Sequence, residues 1–511
     1  HVPVCILPEI SGCPVSIIEI SVVDPYDAGR GFVSNLDFGT GAINYKIANT
    51  ERSLYLNLPW SYNEADQISA TSTITHKLSD NWQLKSVLST RNFNSKQFGA
   101  TRPNAGGQFI DSTPANYGRW VRGLVKNKNI ENYSFGSFDI TGKFKTGRFQ
   151  HTLLAGIDAD ITKTKIYRYD YSKLRADKKN IYDTVNIFGT QQYTQRNDIP
   201  DVPWNLYTST PISRVGIYVQ DFAEITSKLK VLAGIRYSYS KTGMLDSIYA
   251  DGKKILHNKN WNDDAFSPRL GIVYQPTKKI SVFASYTNTY ELNTAIDSFN
   301  NVLKPSIIDQ FELGIKTMLL NNLLSLNATG YIINNNNALQ SYPNLSPTDS
   351  RRESGGQTKS QGIELDIETK NILGFIINAG YSYNDTRYTK STLYNPGSRL
   401  RYNPSHTANL HAYYHVKPTT KLGQLHAGVG AYYVGQRVAG RNATKANPQY
   451  LLLTIPDYFL FDASLGYTYQ NATLRFKINN ILNQLSYNVH DDNSVNPIAP
   501  RQFTATLSYA M

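Results

Sequence analysis

The sequence predicts an all-β protein, a transmembrane antiparallel up-and-down β-barrel, on three observations. Segments of about ten residues alternate apolar and polar side chains, the period-2 signature of strands with two unlike faces. Their connections alternate between short turns and long loops, as in outer-membrane barrels with brief periplasmic turns and extended external loops. No run approaches the 18 apolar residues of a membrane helix, and this is compatible with a membrane barrel because alternating strands average out in hydropathy.

The clearest unit is Lys304 to Asn337. Phe311, Leu313 and Ile315 alternate with Glu312, Gly314 and Lys316. A two-residue Asn321–Asn322 turn then leads into a returning strand, giving a β-hairpin. Around it, residues 1–14 carry no pattern and are left unassigned, and residues 15–511 form the barrel, beginning with a strand at Val15–Val23. Hairpins follow at Asp66–Leu78 with Trp82–Phe93, Glu131–Phe144 with Arg148–Ile161, Pro211–Ile225 with Leu229–Lys241, and Asp264–Tyr274 with Ile280–Tyr290. Beyond the central hairpin come Gly356–Glu368 with Phe375–Arg387, Pro404–Val416 with Gln424–Gln436, and Pro456–Tyr469 with Ala472–Leu482; Arg501–Ala510 closes the chain. That makes 18 strands, with the longest loops at Asn94–Ile130 and Thr162–Thr210.

The faces are unlike in character. Val215, Ile217 and Val219 alternate with Gly216, Tyr218 and Gln220; Leu474, Phe476 and Ile478 alternate with Arg475, Lys477 and Asn479. A cationic side chain facing lipid at midplane depth costs ~2–4 kcal/mol, so the polar set is expected to face a wet lumen.

Of 511 residues, 36 are Tyr and 20 Phe, and the formal net charge is +13. The positive charge is scattered without a basic helix or dense block, which argues against nucleic acid as a partner. Cys5 and Cys13 are the only cysteines; a disulfide between them is chemically available in an oxidising compartment. No catalytic constellation is present, so no enzyme activity is expected, nor a cofactor. His411 and His415 share a strand face but stand ~13 Å apart, too far to hold one ion, and no metal site is assigned. Strand tyrosines such as Tyr381, Tyr413 and Tyr467 suit an interfacial girdle or lumen packing. Tyr117, Trp120, Tyr193, Trp204, Tyr207 and Trp261 fall in the expected long loops, where aromatic rings above a wide barrel are candidates to grip a bulky ligand or to pack the loops.

Several segments together resemble the barrel of TonB-dependent siderophore receptors, of the ferrichrome-type branch. They are FSPRLGIVYQPTKKISVFASYTNTYE (Phe266–Glu291), the Lys304–Asn337 hairpin, KSQGIELDIETK (Lys359–Lys370), RYNPSHTANLHAYY (Arg401–Tyr414) and IPDYFLFDASLGYTYQNATLRFKINNILNQLSY (Ile455–Tyr487). Ile68–Ser89 resembles the family's first mid-barrel hairpin. The resemblance implies active uptake of a ferric siderophore across the cell outer membrane, driven by TonB–ExbB–ExbD, with outer-membrane lipid and lipopolysaccharide around the wall. Receptors of this family carry a plug domain and 22 strands. No plug is recognisable here, so the resemblance implies a barrel lacking the plug and four strands. A passive porin is the alternative function.

Overall fold

The computed structural model describes residues 54–510 apart from short internal gaps (104–109, 112, 175–179, 190–191, 244–245, 257–259, 294, 296, 300, 342–350, 417–422, 445–447, 449 and 490–493), together with residue 52 and the backbone of Ile17–Val23, Gly31–Leu36 and Ile43–Ile47. Residues 1–14, with Cys5 and Cys13, lie outside the described residues.

Each strand of the wall pairs antiparallel with its neighbours. Beginning at Tyr62–Lys77, the order runs through Trp82–Ala100, Arg119–Thr146, Phe149–Tyr169, Trp204–Glu224, Leu229–Gly243, Asn260–Thr277, Ile280–Glu291 and Ser306–Leu319. It continues through Leu324–Ser341, Arg352–Thr369, Phe375–Lys390, His406–His415, Gln424–Val434, Tyr458–Tyr469, Ala472–Asn479 and Gln502–Ala510, and ends on Ile17–Val23. These are the 18 strands expected. Among the described residues, Tyr62–Lys77 and Ile17–Val23 each have one partner in this sheet.

The alternation of connection length holds. Residues 147–148, 278–279 and 470–471 make tight turns, whereas 170–203 and 435–457 make long excursions. Two expectations change. The central hairpin turns through four residues, 320–323, rather than two, because Leu320, Asn321 and Asn322 all take left-handed backbone conformations (φ 48°, 55° and 66°) and the Leu323 amide donates to the Leu320 carbonyl. The two adjacent asparagines make such a run accessible.

The long loops also shrink, because the strands outgrow the membrane. Arg119–Thr146 has 28 residues. At ~3.3 Å per residue it extends roughly 90 Å, against the ~9–11 residues a tilted strand needs to cross lipid. Its pairing with Trp82–Ala100 continues without a break from Trp82↔Gly142 to Ala100↔Leu124. Above the membrane band the polar run at 126–129 breaks the apolar alternation that marks a strand in sequence, while the backbone ladder goes on to Leu124 and Trp120, which pack into the long-loop layer.

Apolar side chains are distributed inside-out within the wall. Ile157, Ile217 and Ile235 lie on one outward face across three neighbouring strands and are 45–56 % exposed. The buried apolar clusters sit instead at the long-loop end: Leu58, Phe98, Leu124, Tyr182 and Val202 form one, and Trp120, Val185 and Ile187 another. Short strands add to this layer, including Ile181–Asn186 against the start of Arg119–Thr146.

Replacing Ile217 by Arg puts a cation into the apolar outer band. The expected loss is ~2–4 kcal/mol in denaturant unfolding from lipid vesicles, whereas a luminal Gln220→Arg change in the same strand is expected to cost much less.

Candidate functional site: the luminal wall

Four successive strands build a ladder of charged groups on the inner face. Asp139 comes from Arg119–Thr146, Asp158 and Asp160 from Phe149–Tyr169, Arg214 and Tyr218 from Trp204–Glu224, and Arg236 from Leu229–Gly243. Each alternates with an outward apolar residue, as Asp158 and Asp160 do with Ile157 and Ile161, which is why all face the lumen.

The pairing reaches across strands. Arg236 stands opposite Tyr218, and its guanidinium passes over Gly216 to grip Asp158 with both terminal nitrogens, at 2.6 and 2.7 Å; its Nε donates to Ser238 Oγ at 2.8 Å. A side chain at Gly216 would occupy the same space as that guanidinium. One rung nearer the tight turns, the Tyr218 hydroxyl crosses Gly156 and donates to Asp139. Arg214 and Asp160 pair directly, with Nε 2.9 Å from Oδ1. Bidentate arginine–carboxylate pairs hold both partners in fixed planes.

Beside this ladder lies an open recess of about 630 Å³, lined by Asp160, Arg214, Tyr218, Arg236, Arg269 and Tyr290 among others. Arg214 and Arg236 are neutralised by their aspartates. Arg269 occupies a luminal position opposite Gly234, exposed and without a carboxylate partner among the described residues. The recess therefore presents one uncompensated guanidinium, held among paired charges, to whatever occupies the lumen.

The six aromatic residues marked in the sequence go to different places, and four are not in loops. Trp120 belongs to strand Arg119–Thr146 and is fully buried (0 % exposed) against Val185 and Ile187. Tyr117, just before that strand, stacks on Phe188 at 5.0 Å. Trp204 and Tyr207 start strand Trp204–Glu224 and form a ring cluster with Tyr167. Tyr207 pairs with Tyr167 on the outward side, two rungs beyond Lys165 and Ser209. Trp261 lies in strand Asn260–Thr277 at a luminal position opposite Thr242, on the same face as Arg269. Tyr193 lies in the irregular segment ahead of Trp204. The loops' interior is held by a buried ion pair, Arg122 with Asp183, at 2.7 Å for Nε–Oδ1 and 2.5 Å for Nη2–Oδ2. Beside it the Tyr171 hydroxyl accepts from the Lys126 amide, and burial pushes that phenol above its ordinary pKa.

The luminal charges were within reach of sequence reasoning as a class, through the Ile-Asp-Ala-Asp-Ile alternation at 157–161. Their pairing was not, since Asp158 and Arg236 are far apart in the chain.

A wide antiparallel wall with a charged lumen, an apolar outer band and a packed long-loop end defines an outer-membrane β-barrel of the receptor type. The TonB dependent receptor-like β-barrel family model matches residues 19–481, and the chain belongs to that family. It is 24 % identical over 481 residues to the metal-pseudopaline receptor CntO of Pseudomonas aeruginosa, covering 92 % of this chain and 63 % of that protein. It is 25 % identical over 421 residues to the ferrichrome outer membrane transporter/phage receptor of Escherichia coli, covering 81 % of this chain and 52 % of that one. The chain thus spans less than two thirds of the length of these relatives. The fold is like that of the ferric-catecholate import receptor Fiu of Escherichia coli, with a TM-score of 0.75 at 16 % identity over 97 % of this chain and 72 % of that one. The siderophore receptor PiuA of Acinetobacter baumannii gives the same TM-score at 19 % identity, over 97 % and 71 %. Membership of this family places the wall in the cell outer membrane.

Removing Arg122 as Arg122→Ala strands a buried carboxylate at Asp183. The expected cost is ~3–5 kcal/mol to the long-loop layer, read by hydrogen exchange as lost protection at 119–124 and 181–186 with strand 229–243 unchanged.

Proposed function

We propose that this chain is the barrel wall of a receptor that takes up a ferric siderophore, with TonB and ExbB–ExbD supplying the energy. The ligand is carried without a bond being made or broken in it, so the protein acts as a transporter and the metal complex is cargo. The observation that carries this reading is the luminal recess with its uncompensated Arg269, in a barrel of a family whose relatives include named siderophore receptors. A cationic recess of that kind favours an anionic ferric complex. The ferrichrome transporter among the relatives supports assignment to the ferrichrome-type branch.

Trp261 and Tyr193 are the proposed aromatic contacts for the ligand, Trp261 because it shares the luminal face with Arg269. Trp120 is enclosed, Tyr117 stacks on Phe188, and Trp204 and Tyr207 cluster with Tyr167 toward the outside, so those four serve the packing of the long-loop end. On the outer surface, Lys163 and Lys165 follow directly after the apolar positions Ile157 and Ile161, and Lys128 lies over the Tyr167 ring at 5.0 Å. A basic and aromatic belt at that height suits the anionic headgroups of outer-membrane lipid and lipopolysaccharide.

Titration of the full-length receptor with a panel of ferric siderophores, followed by intrinsic fluorescence, is expected to give saturable binding. Arg269→Gln is expected to weaken it roughly tenfold or more, the range for a lost hydrogen bond to a charged group (~1.5–3 kcal/mol). Absence of saturable binding by any ferric siderophore, together with a steady open current in a planar bilayer, would replace this reading with a passive pore.

A further inference from the structure

We infer that His415 and His426 form a two-imidazole site for Cu²⁺ or Ni²⁺ on the luminal wall, at its short-turn edge. The sequence places His415 beside His411 on one strand, too far apart for a shared ion. The fold supplies a different partner. Strands His406–His415 and Gln424–Val434 pair so that His415 stands directly opposite His426. Val429, 58 % exposed, points outward with Ala412, so both histidines, three residues away on their strands, point into the lumen.

The Nδ1 atoms of the two rings are 2.8 Å apart, with the rings at 80° to one another. Imidazole nitrogens bind divalent transition metals at ~2.0–2.1 Å. Two nitrogens at that distance are separated by roughly 2.9 Å when the bite is a right angle and by roughly 3.3 Å when it is tetrahedral. The observed 2.8 Å is the length of the hydrogen bond between the rings; a small rotation of the rings brings both nitrogens to bear on one ion, and imidazole donors favour Cu²⁺ and Ni²⁺ by the Irving–Williams order.

A third strand offers Nε2 of His426 a hydroxyl partner. His426 Nε2 lies 2.9 Å from Thr468 Oγ1, which lies 2.9 Å from Thr473 Oγ1. With Nε2–H donating to Thr468, and Thr468 donating on to Thr473, His426 keeps its Nδ1 lone pair directed at His415. An outer hydrogen bond of this kind orients a metal-binding imidazole. Without an ion, the His415 Nδ1–H donates to His426 Nδ1. When the ion enters, that proton moves through solvent to His415 Nε2; both rings remain neutral, no net proton is released and no electron is transferred.

Among the described residues no group of three or more His, Cys, Asp or Glu side chains converges, so lumen water completes the coordination shell. Arg475, opposite Gly466, which is itself opposite His426, carries a positive charge that opposes a cation and weakens the site. His411 does not join it: its ring stacks on Tyr413 and meets Tyr432 edge-on at 5.1 Å. A bound ion would clip together the two strands on either side of the connection at 416–423.

The test is titration of the detergent-folded chain with CuCl₂, read by calorimetry and by the nitrogen hyperfine pattern in electron paramagnetic resonance. One equivalent is expected to show two equatorial imidazoles. His415→Asn and His426→Asn are each expected to lose that pattern and to weaken the corresponding binding step at least tenfold. Thr468→Val, which removes the hydrogen-bond partner of His426 Nε2, is expected to weaken it several-fold, and His411→Asn is expected to leave it unchanged. Heat-modifiable electrophoretic mobility and the β-type circular dichroism of each variant confirm that the barrel has formed. If the folded wild type and both histidine variants give the same isotherm and the same spectrum, the contact is an imidazole–imidazole hydrogen bond and nothing more.

Discussion

The constraint on which everything else depends is that no backbone amide or carbonyl can go unpaired in hydrocarbon. For a chain without long apolar helices the solution is a sheet, and the sheet then dictates where each side chain goes. Alternate residues meet lipid and the rest meet the lumen. Ile157, Ile217 and Ile235 are exposed in the described chain because lipid is their solvent, and Asp158, Tyr218 and Arg236 are on the inside because lipid would reject them.

That inversion moves the hydrophobic core out of the wall. The enclosed apolar clusters lie where the strands rise past the membrane, with Leu58, Phe98 and Leu124 under one set of loops and Trp120 under another. The Arg122–Asp183 pair is buried in the same layer. Strand ladders carried far beyond lipid give this layer a rigid base, so the long-loop end is a packed structure and not a fringe of free segments. A binding surface built on it would be held by the wall itself.

The lumen is organised by contacts between strands and not along them. Glycine in one strand lets a long side chain from the next reach a carboxylate on the strand beyond, as Arg236 does over Gly216 and Tyr218 over Gly156. Three-strand units of this kind fix guanidinium planes and leave Arg269 open within the recess. The His415, His426 and Thr468 network follows the same logic with imidazoles.

The sequence by itself determined the architecture: 18 strands, their alternating faces, short turns against long excursions, and the family that these segments resemble. A period of two is a local property, set by the pleat, and is readable wherever one face meets lipid. It failed where the strands rise past lipid and polar runs such as that at 126–129 interrupt the alternation, so the rise of Arg119–Thr146 and the strand placement of Trp120, Trp204, Tyr207 and Trp261 were invisible. Trp120 read as a loop ring able either to grip a ligand or to pack the loops, and it is enclosed against Val185 and Ile187. Only the tertiary structure decided which charges pair, that Arg269 is left over, and that His415 faces His426 and not His411. Register between strands fixes those contacts, and register depends on the whole ladder of backbone hydrogen bonds across the sheet, to which no single segment of the chain gives access.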